Sequence, residues 1–287
     1  MTSPTETRFH RRSLRRLWKF STSRPKSSVM ASSPRCLWRQ DYAGLAFAPT
    51  GSRSGSGRTG RGRTGMIVNT EITDGVAVIT MDDGKANAIG HEMLDALEPA
   101  LAKAAETARA VVLTGRKGVF CGGFDLKTMQ GATPDEVDRL VRRGGRMIQT
   151  LYGYPKPLVA AASGHGIALG ALMLLACDTR VGAGGDFRYG LNETAIGLEL
   201  PVFGLALARD RLAQAEMTPA VIQARLYDAA GAVAAGYLDE AAAPDAVIGR
   251  AVEIAKALGE LPSATYHATK INCRRETMNT IAASLAD

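Results

Sequence analysis

One stretch, from Leu158 to Asp178, constrains the fold more than any other, and it reads LVAAASGHGIALGALMLLACD. It begins as a short apolar run of small and β-branched residues, which predicts a buried strand, and continues through Gly164, Gly166 and Gly170 into an apolar segment of helical length. A strand that turns through glycines into a helix leaves backbone N–H groups unpaired at the positive end of the helix dipole. Such a site suits an anion or a developing oxyanion. A buried strand–helix unit with small residues for close packing explains the same pattern, so both interpretations stay open on this stretch alone.

The distribution of charge divides the chain near Met66. Residues 1–65 contain 14 Lys and Arg but only 2 Asp and Glu, whereas the remainder contains 21 basic and 26 acidic residues. The basic leader fits three interpretations: an organellar transit peptide, a disordered arm for nucleic acid or anionic lipid, or upstream sequence included by a start codon placed too early. The last is favoured because a strand pattern begins directly at Met66. Since the body is mildly acidic, we expect no nucleic-acid partner for it.

Neither a membrane segment nor a metal site is expected after Met66. No stretch there reaches the roughly 18 uninterrupted apolar residues of a membrane span, so we expect no membrane partner. The four cysteines are widely separated and have no metal-ligand spacing: Cys36, Cys121, Cys177 and Cys273. Reduced thiols of this kind are typical of a cytoplasmic protein, or of a mitochondrial matrix protein if the leader is a transit peptide.

The body alternates strand and helix patterns. Residues 66–81 predict a hairpin around Asp74-Gly75, and a helix is expected from His91, with a kink at Pro99 in its interior. Thr133-Pro134-Asp135-Glu136 is a capping box that predicts the start of another helix. Alanine-rich helices follow from about residue 202, the last of them over residues 263–285. Repeated strand–strand–helix patterns with a helical tail predict an α/β fold in which helices cover the sheet.

Three segments in order now resemble a known family. The first is Phe120–Leu126, FCGGFDL, after a predicted strand; the second is the glycine-rich segment 164–178. The third is Tyr189–Glu193, YGLNE, followed by Gly197 and Pro201. Together they resemble the crotonase superfamily, the enoyl-CoA hydratases and isomerases, over residues 66–287.

The resemblance implies a fold, an assembly and a substrate class. The fold would be a spiral of ββα units over residues 66–205, with a helical region at 206–287 that serves oligomerisation and CoA contacts. Residues 1–65 would lie outside it as a disordered leader. The resemblance implies a homotrimer or a dimer of trimers that acts on an acyl-CoA thioester and needs no metal or redox cofactor.

The shared chemistry of the family is stabilisation of a thioester enolate by two backbone N–H groups in an oxyanion hole. By position, the resemblance implies that the donors are the N–H groups of Phe124 and Leu169, with Gly170 as the alternative for the second. The family usually has glycine where this chain has Leu169. Glu193 is the expected base, because a carboxylate in a partly apolar pocket has its pKa raised toward the range that suits proton transfer.

Position 172 separates the expected reactions. The family's hydratases carry a second glutamate six residues before the aspartate that matches Asp178, and this chain has Leu172 there. Hydration needs a water held between two carboxylates, whereas moving a double bond needs a single base. The sequence therefore favours an enoyl-CoA isomerase of fatty acid metabolism; an enoyl-CoA hydratase, or another crotonase-type reaction, is the alternative. A non-catalytic acyl-CoA-binding protein is the second alternative.

Contacts to CoA are also implied by the resemblance. The backbone of Lys85, Ala86, Asn87 and Ala88 resembles the family's adenine-binding segment, and Gly123, Asp125 and Leu172 are expected around the acyl-CoA. Asp125 and Asp178 are also expected to hold the start of a helix and of a strand. Lys270 and Arg274 in the last helix are expected either to reach phosphates, on this subunit or a neighbour, or to form a solvated helix face.

Overall fold

The computed structural model describes residues 66–286, so the predictions for the leader lie outside the described residues. Within this range the strands are β1 (Val68–Thr73), β2 (Val76–Met81), β3 (Ala110–Gly115), β4 (Gly118–Cys121), β5 (Leu158–Ala162), β6 (Gly164–Ile167), β7 (Thr179–Ala183), β8 (Tyr189–Gly190) and β9 (Glu240–Ala242). The α-helices are α1 (His91–Thr107), α2 (Leu126–Gln130), α3 (Pro134–Tyr152), α4 (Leu169–Ala176), α5 (Val202–Arg211), α6 (Ala229–Ala235), α7 (Val247–Gly259) and α8 (Ser263–Leu285). Short 3-10 helices at Thr194–Ile196 and Gln214–Glu216 and a π-helix at Thr218–Ile222 complete the list.

From β3 to β9 the strands alternate between two sheets as the chain advances. One sheet has six strands in the order β1-β2-β3-β5-β7-β9, and the other has three in the order β4-β6-β8. The first segment places both β1 and β2 in the large sheet before α1. The next three pairs, β3 and β4, β5 and β6, and β7 and β8, each place one strand in the large sheet and the next in the small sheet before a helix follows. All pairings except β1 with β2 are parallel. This repeat is the spiral of ββα units, and it confirms the predicted fold class.

Both faces of the large sheet are covered by helices. Because side chains of a strand point alternately to opposite faces, each buried strand contributes to two cores. Val112, Val159 and Val181 lie in the smaller core, under α7. Val111, Leu113 and Leu158 lie in the larger core, which also contains the buried residues of α1, α3 and α4. Every residue of α4 is buried, so this helix lies inside the larger core.

The local signals for turns and helix starts are confirmed. Asp74 and Gly75 join β1 to β2 with φ angles of 53° and 80°, the positive values that a tight hairpin turn needs. The side chain of Thr133 accepts a hydrogen bond from the N–H of Glu136, and the Glu136 carboxylate accepts one from the N–H of Thr133. This capping box starts α3, and α1 is a helix with Pro99 in its interior.

The C-terminal region is helical apart from β9, which pairs with β7 and so belongs to the large sheet. Its longest helix, α8, packs against α5 and α3 of the same chain. The side chain of Leu285, at the end of α8, lies beside Gly145 of α3, together with Phe203 of α5. The last helix of the chain therefore folds back over the helix that borders the candidate site.

One prediction about local structure is wrong: the segment expected to turn through glycines contains strand β6, which pairs with β4. The reason is close pairing of the two backbones: a Cβ on Gly164 would lie 1.9 Å from the carbonyl carbon of Gly118. Only Ala168 separates β6 from α4, so the turn itself is a single residue.

Candidate active site

The loop after β4 presents the backbone N–H of Phe124. On either side of it, the N–H of Ile89 donates to the carbonyl of Gly123 (2.8 Å), and the N–H of Asp125 donates to the carbonyl of Ile89 (3.1 Å). Among residues 66–286, no acceptor is found for the N–H of Phe124 itself. The loop is thus held in place by its neighbours while one donor stays available.

The start of α4 presents a second set of available donors. Ala168 precedes the helix, and its N–H donates to the carbonyl of Gly190 in β8 (3.0 Å). The first hydrogen bond of the helix runs from the N–H of Leu172 to the carbonyl of Ala168 (3.1 Å). In the described part of the chain, the N–H groups of Leu169 and Gly170 have no acceptor, as expected in a first helical turn.

These two sets of donors lie side by side. A Cβ on Gly123 would lie 2.9 Å from the Cβ of Ala168 and 3.6 Å from the backbone nitrogen of Leu169. A Cβ on Gly170 would lie 2.2 Å from the carbonyl oxygen of Cys121. Only glycine allows these contacts, so the end of β4 and the start of α4 meet backbone to backbone. The arrangement can place two N–H groups, at the positive end of a helix, around one oxygen that gains negative charge.

Ala168 carries backbone strain that sequence reasoning missed. Its φ of 54° and ψ of −124° belong to a region that is essentially reserved for glycine. Strain of this kind costs about 1–3 kcal/mol and is typical of functional sites. Ala168 directly precedes Leu169, so its backbone angles set the direction of the first N–H of the helix. This direction explains why the strain is kept.

Ala168→Gly is expected to raise the free energy of unfolding by about 1 kcal/mol, because relief of strain exceeds the roughly 0.4–1 kcal/mol that glycine costs through the unfolded chain. Ala171→Gly, inside α4, is the matched control and is expected to lower stability by about 1 kcal/mol or more. Urea unfolding of both variants measures the difference. Equal destabilisation by the two substitutions would contradict the assignment of strain to Ala168.

Glu193 lies where β8 leaves the small sheet, immediately before the short helix Thr194–Ile196. The pairing of β8 with β6 brings this segment beside the start of α4. The residue is 9 % exposed, and its Oε2 is buried without a hydrogen-bond partner among the described residues. Burial raises the pKa of Glu193 to about 7, although the backbone N–H groups of Glu193 and Asn192 oppose the shift. A carboxyl group that titrates near neutrality can both accept and return a proton.

The surroundings of the donors are apolar. Leu172 is buried, and its Cδ1 lies beside Gly204 of α5, next to Leu200. The ring of Phe124 and the side chain of Leu169 both reach Gly144 of α3, where a Cβ would lie 2.5 Å from the Cζ of Phe124. Helix α3 therefore forms one wall beside both proposed oxyanion donors.

The predicted CoA-binding loop, with Lys85, Ala86, Asn87 and Ala88, is joined to the first donor loop. The N–H of Gly122 donates to the carbonyl of Ala86 (2.9 Å). The carboxylate of Asp83 accepts from the N–H groups of Lys85, Asn87 and Ala88. Lys85 itself is exposed. The loop is thus prearranged beside Gly122 and Gly123, with a cationic side chain at its outer edge.

The resemblance concerned the backbone of this loop, and the side chain of Asn87 has a structural role of its own. Its side chain is fully buried, and its amide donates to the carbonyls of Met81, Val119 and Phe120. It therefore ties the CoA-binding loop to β2 and β4.

Two aspartates act as predicted in holding local structure. Asp125 caps α2: its carboxylate accepts from the N–H of Lys127 (3.0 Å) and the hydroxyl of Thr128 (2.7 Å), and the hydrogen bond from Thr128 lowers its pKa. Both of its oxygens are thus engaged with α2. Asp178 accepts from the N–H of Leu158 at the start of β5 (2.9 Å).

Lys270 does not join the candidate site. Its ammonium is buried and donates to Asp178 (2.6 Å) and to the carbonyls of Tyr154 (2.8 Å) and Lys156 (2.9 Å). Its three donors are therefore used within the chain. Asp178 follows the C-terminal end of α4, whereas Leu169 is at the N-terminal end. Lys270 is paired with Asp178 at the opposite end of α4 from the N–H donors, and its own three donors are occupied. We therefore leave Lys270 out of the CoA contacts proposed below.

Arg274 extends the same buried cluster. Its guanidinium lies 3.0 Å from Asp178 and donates to the carbonyl of Tyr152 (2.7 Å). The spacing of Lys270 and Arg274 on one helix face could not distinguish such an internal ion pair from a phosphate site.

The described residues contain no grouping of three or more side chains suited to a metal ion, and no helix in this range has the length and apolar character needed to cross a membrane.

Comparison with known proteins matches this geometry to one family. The family model for enoyl-CoA hydratase/isomerase matches residues 71–286. A crystal structure of an enoyl-CoA hydratase from Mycobacterium ulcerans superposes with a TM-score of 0.74 at 35 % identity, covering 76 % of this chain and 96 % of that one. An apo structure of an enoyl-CoA isomerase from Mtb superposes with a TM-score of 0.73 at 37 % identity, covering 77 % and 96 %.

Curated relatives carry both names, hydratase more often than isomerase. Among them is the mitochondrial enoyl-CoA delta isomerase 1 of Mus musculus, which is 28 % identical over 220 residues, or 75 % of this chain and 76 % of that protein. The resemblance drawn from three motifs is confirmed, since the matched residues contain all three. The chain belongs to the enoyl-CoA hydratase/isomerase family, the crotonase superfamily.

Proposed function

We propose that this protein is an enoyl-CoA isomerase, which converts a 3-enoyl-CoA into a 2-enoyl-CoA in fatty acid metabolism. The observation that carries the proposal is the combination of one buried carboxylate, Glu193, with the apolar Leu172 at the position of the hydratases' second acid. A single base is sufficient for isomerisation and insufficient for hydration.

In the proposed reaction, ionised Glu193 removes a proton from C2 of the 3-enoyl thioester. The electron pair moves into the thioester carbonyl, and the N–H groups of Phe124 and Leu169 stabilise the enolate oxygen; Gly170 is the alternative second donor. Loss of one such donor typically costs about 2.7–4 kcal/mol of transition-state stabilisation. The protonated Glu193 then returns the proton at C4, and the double bond moves to C2–C3. A pKa near 7 suits both halves of this transfer.

Binding of the thioester is proposed to use the loop of Lys85, Ala86, Asn87 and Ala88. Its exposed Lys85 is available to a CoA phosphate, and its backbone lies against the first donor loop. Gly123 and Leu172 would border the acyl group. We propose further that the protein assembles as a homotrimer or a dimer of trimers and uses no metal or redox cofactor.

An enoyl-CoA hydratase is the second candidate, favoured by the hydratase names that several similar curated proteins carry. Hydration would require another group to act as the second acid, because Leu172 can neither donate nor accept a proton.

The assignment of reaction type to position 172 can be tested by restoring the second acid. Leu172→Glu is expected to raise hydration of a 2-enoyl-CoA about tenfold or more over wild type, since general acid–base groups contribute about 10²–10⁴-fold when well placed. Burying the new carboxyl group costs stability unless its pKa rises. Leu172→Gln is the matched control, because it has the same shape without the acid and is expected to gain nothing.

Hydration is followed as formation of the 3-hydroxyacyl-CoA, with isomerase activity of each variant reporting that the site is intact. If the Glu and Gln variants hydrate equally, position 172 does not determine the reaction type.

A further inference from the structure

Helix α3 contains a glycine that its backbone does not need. Gly144 lies in the interior of the helix, is buried, and has no positive φ. Glycine in a helix interior is less favourable than alanine, because it loses more conformational freedom on folding. What Gly144 supplies is therefore space, and the neighbours of its missing side chain show what that space is used for.

The missing side chain leaves a recess that holds the ring of Phe124. A Cβ on Gly144 would lie 2.5 Å from the Cζ and 2.6 Å from the Cε1 of Phe124, and 3.4 Å from the Cδ2 of Leu169. Carbon atoms in favourable contact are roughly 3.5–4.0 Å apart, so the ring and a methyl group at position 144 exclude each other. The side chains of both proposed oxyanion donors thus meet at this one position.

A side chain at position 144 would displace the ring of Phe124 and leave its backbone in place. The backbone on either side of Phe124 is hydrogen-bonded to Ile89, and the two residues form a parallel bridge. Leu169 is buried and lies against the same recess, so it limits movement of the ring toward α4. Phe124 is only partly buried. Its ring can therefore turn away from α3 while the N–H keeps its position.

We propose that Gly144 is a specificity-determining residue, which keeps the ring of Phe124 in the wall formed by α3 and out of the space that the acyl group occupies beyond C2. A 3-enoyl group has at least four carbons, so C3 and C4 need room beside the two N–H donors. The inference rests on the proposed function, because it takes Phe124 and Leu169 as the residues that face the thioester. It adds that one recess sets which acyl groups are accepted.

The next residue of α3 offers a matched control. Gly145 is also buried, but a Cβ there would lie 2.6 Å from the Cδ2 of Leu285 and 2.9 Å from the Cδ1 of Phe203. These side chains belong to α8 and α5, and neither residue is a proposed donor. Alanine at either position adds the same methyl group to the same helix, and only at position 144 does it displace the side chain of a donor.

Affinity for saturated CoA thioesters tests the proposal without any reaction. Acetyl-CoA, butanoyl-CoA and hexanoyl-CoA are titrated calorimetrically into wild type, Gly144→Ala and Gly145→Ala. In Gly144→Ala, the Kd for the two longer thioesters is expected to rise about tenfold, while that for acetyl-CoA changes less than about twofold. Gly145→Ala is expected to keep the wild-type ratios of the three Kd values. The same ratios in Gly144→Ala as in wild type or Gly145→Ala would overturn the proposal.

A shorter side chain at position 124 is expected to reverse the effect. In the double variant Gly144→Ala/Phe124→Leu the backbone N–H is kept, and the wild-type ratios of the Kd values should return. A loss of affinity that persists in the double variant would show that the ring is not what blocks the acyl group, and would contradict the proposal.

Phe124→Ala in otherwise wild-type protein gives a test that does not depend on the folding of Gly144→Ala. It empties the recess, so a branched acyl group gains apolar contact there. The affinity for 3-methylbutanoyl-CoA relative to butanoyl-CoA is expected to rise about fourfold, the effect of burying one further methyl group. An unchanged ratio would place the recess away from the acyl group and refute the proposal.

Turnover by the wild type separates this inference from the proposed function. If wild type binds the thioesters but does not isomerise 3-enoyl-CoA, the proposed reaction fails, while the Kd ratios still decide on Gly144. If wild type isomerises and Gly144→Ala keeps the wild-type ratios, the inference fails and the proposed reaction stands. A wild type that binds none of the thioesters contradicts both.

Discussion

Glu193→Gln is expected to lower the rate of 3-enoyl-CoA to 2-enoyl-CoA conversion by about 10²–10⁴-fold, the usual contribution of a general acid–base group. The loss should lie near the upper end because Leu172, at the other candidate position, cannot replace the base. Affinity for the CoA thioester should change little, since the proposed binding contacts come from the loop at Lys85–Ala88 and from backbone N–H groups. The measurements are kcat for isomerisation and the Kd for the thioester.

Glu199→Gln is the matched control for this prediction, because Glu199 is an exposed glutamate six residues further along the same segment. It should retain the wild-type rate. Equal rates in wild type and Glu193→Gln would remove Glu193 from the mechanism.

The same substitution is expected to change how stability depends on pH. The pKa of Glu193 is raised by burial from 4.5 to about 7 in the folded chain. The folded state therefore binds more protons than the unfolded state between these values, and wild type loses stability from this group as the pH rises through that window. The loss amounts to about 3 kcal/mol by pH 8.

Glutamine does not ionise, so Glu193→Gln should escape this loss. The free energy of unfolding of Glu193→Gln minus that of wild type should rise by about 3 kcal/mol between pH 4.5 and pH 8. Urea unfolding at matched protein concentrations gives both values, and all other titrating groups cancel in the difference. Glu199→Gln again controls for the loss of one negative charge. A difference that stays constant with pH would show that Glu193 is not held in a strongly desolvating site.

Local signals in the sequence were sufficient for the elements that local chemistry determines. The turn at Asp74-Gly75, the capping box at Thr133 and the bounds of α8 all rest on residues within one or two turns of each other, and all are confirmed. The fold class followed from the alternation of patterns, because strands that alternate with helices can bury both faces of a parallel sheet.

Features that depend on contacts distant in the sequence could not be predicted in this way. Strands β4 and β6 contain glycines that usually indicate turns, and only their mutual pairing makes them strands. The strained Ala168 lies against Gly123, which is distant in sequence, and the buried Lys270 pairs with Asp178, some 90 positions earlier.

The central claim, that a single buried carboxylate without a second acid isomerises and does not hydrate, is tested most directly by the products of the wild-type protein. Purified protein is supplied with a 3-enoyl-CoA, and the thioesters are followed by chromatography and mass spectrometry over the full time course. We expect a 2-enoyl-CoA of unchanged mass to accumulate, with 3-hydroxyacyl-CoA, heavier by one water, formed at least about 100-fold more slowly. Formation of the 3-hydroxyacyl-CoA at a rate comparable to isomerisation would contradict the account.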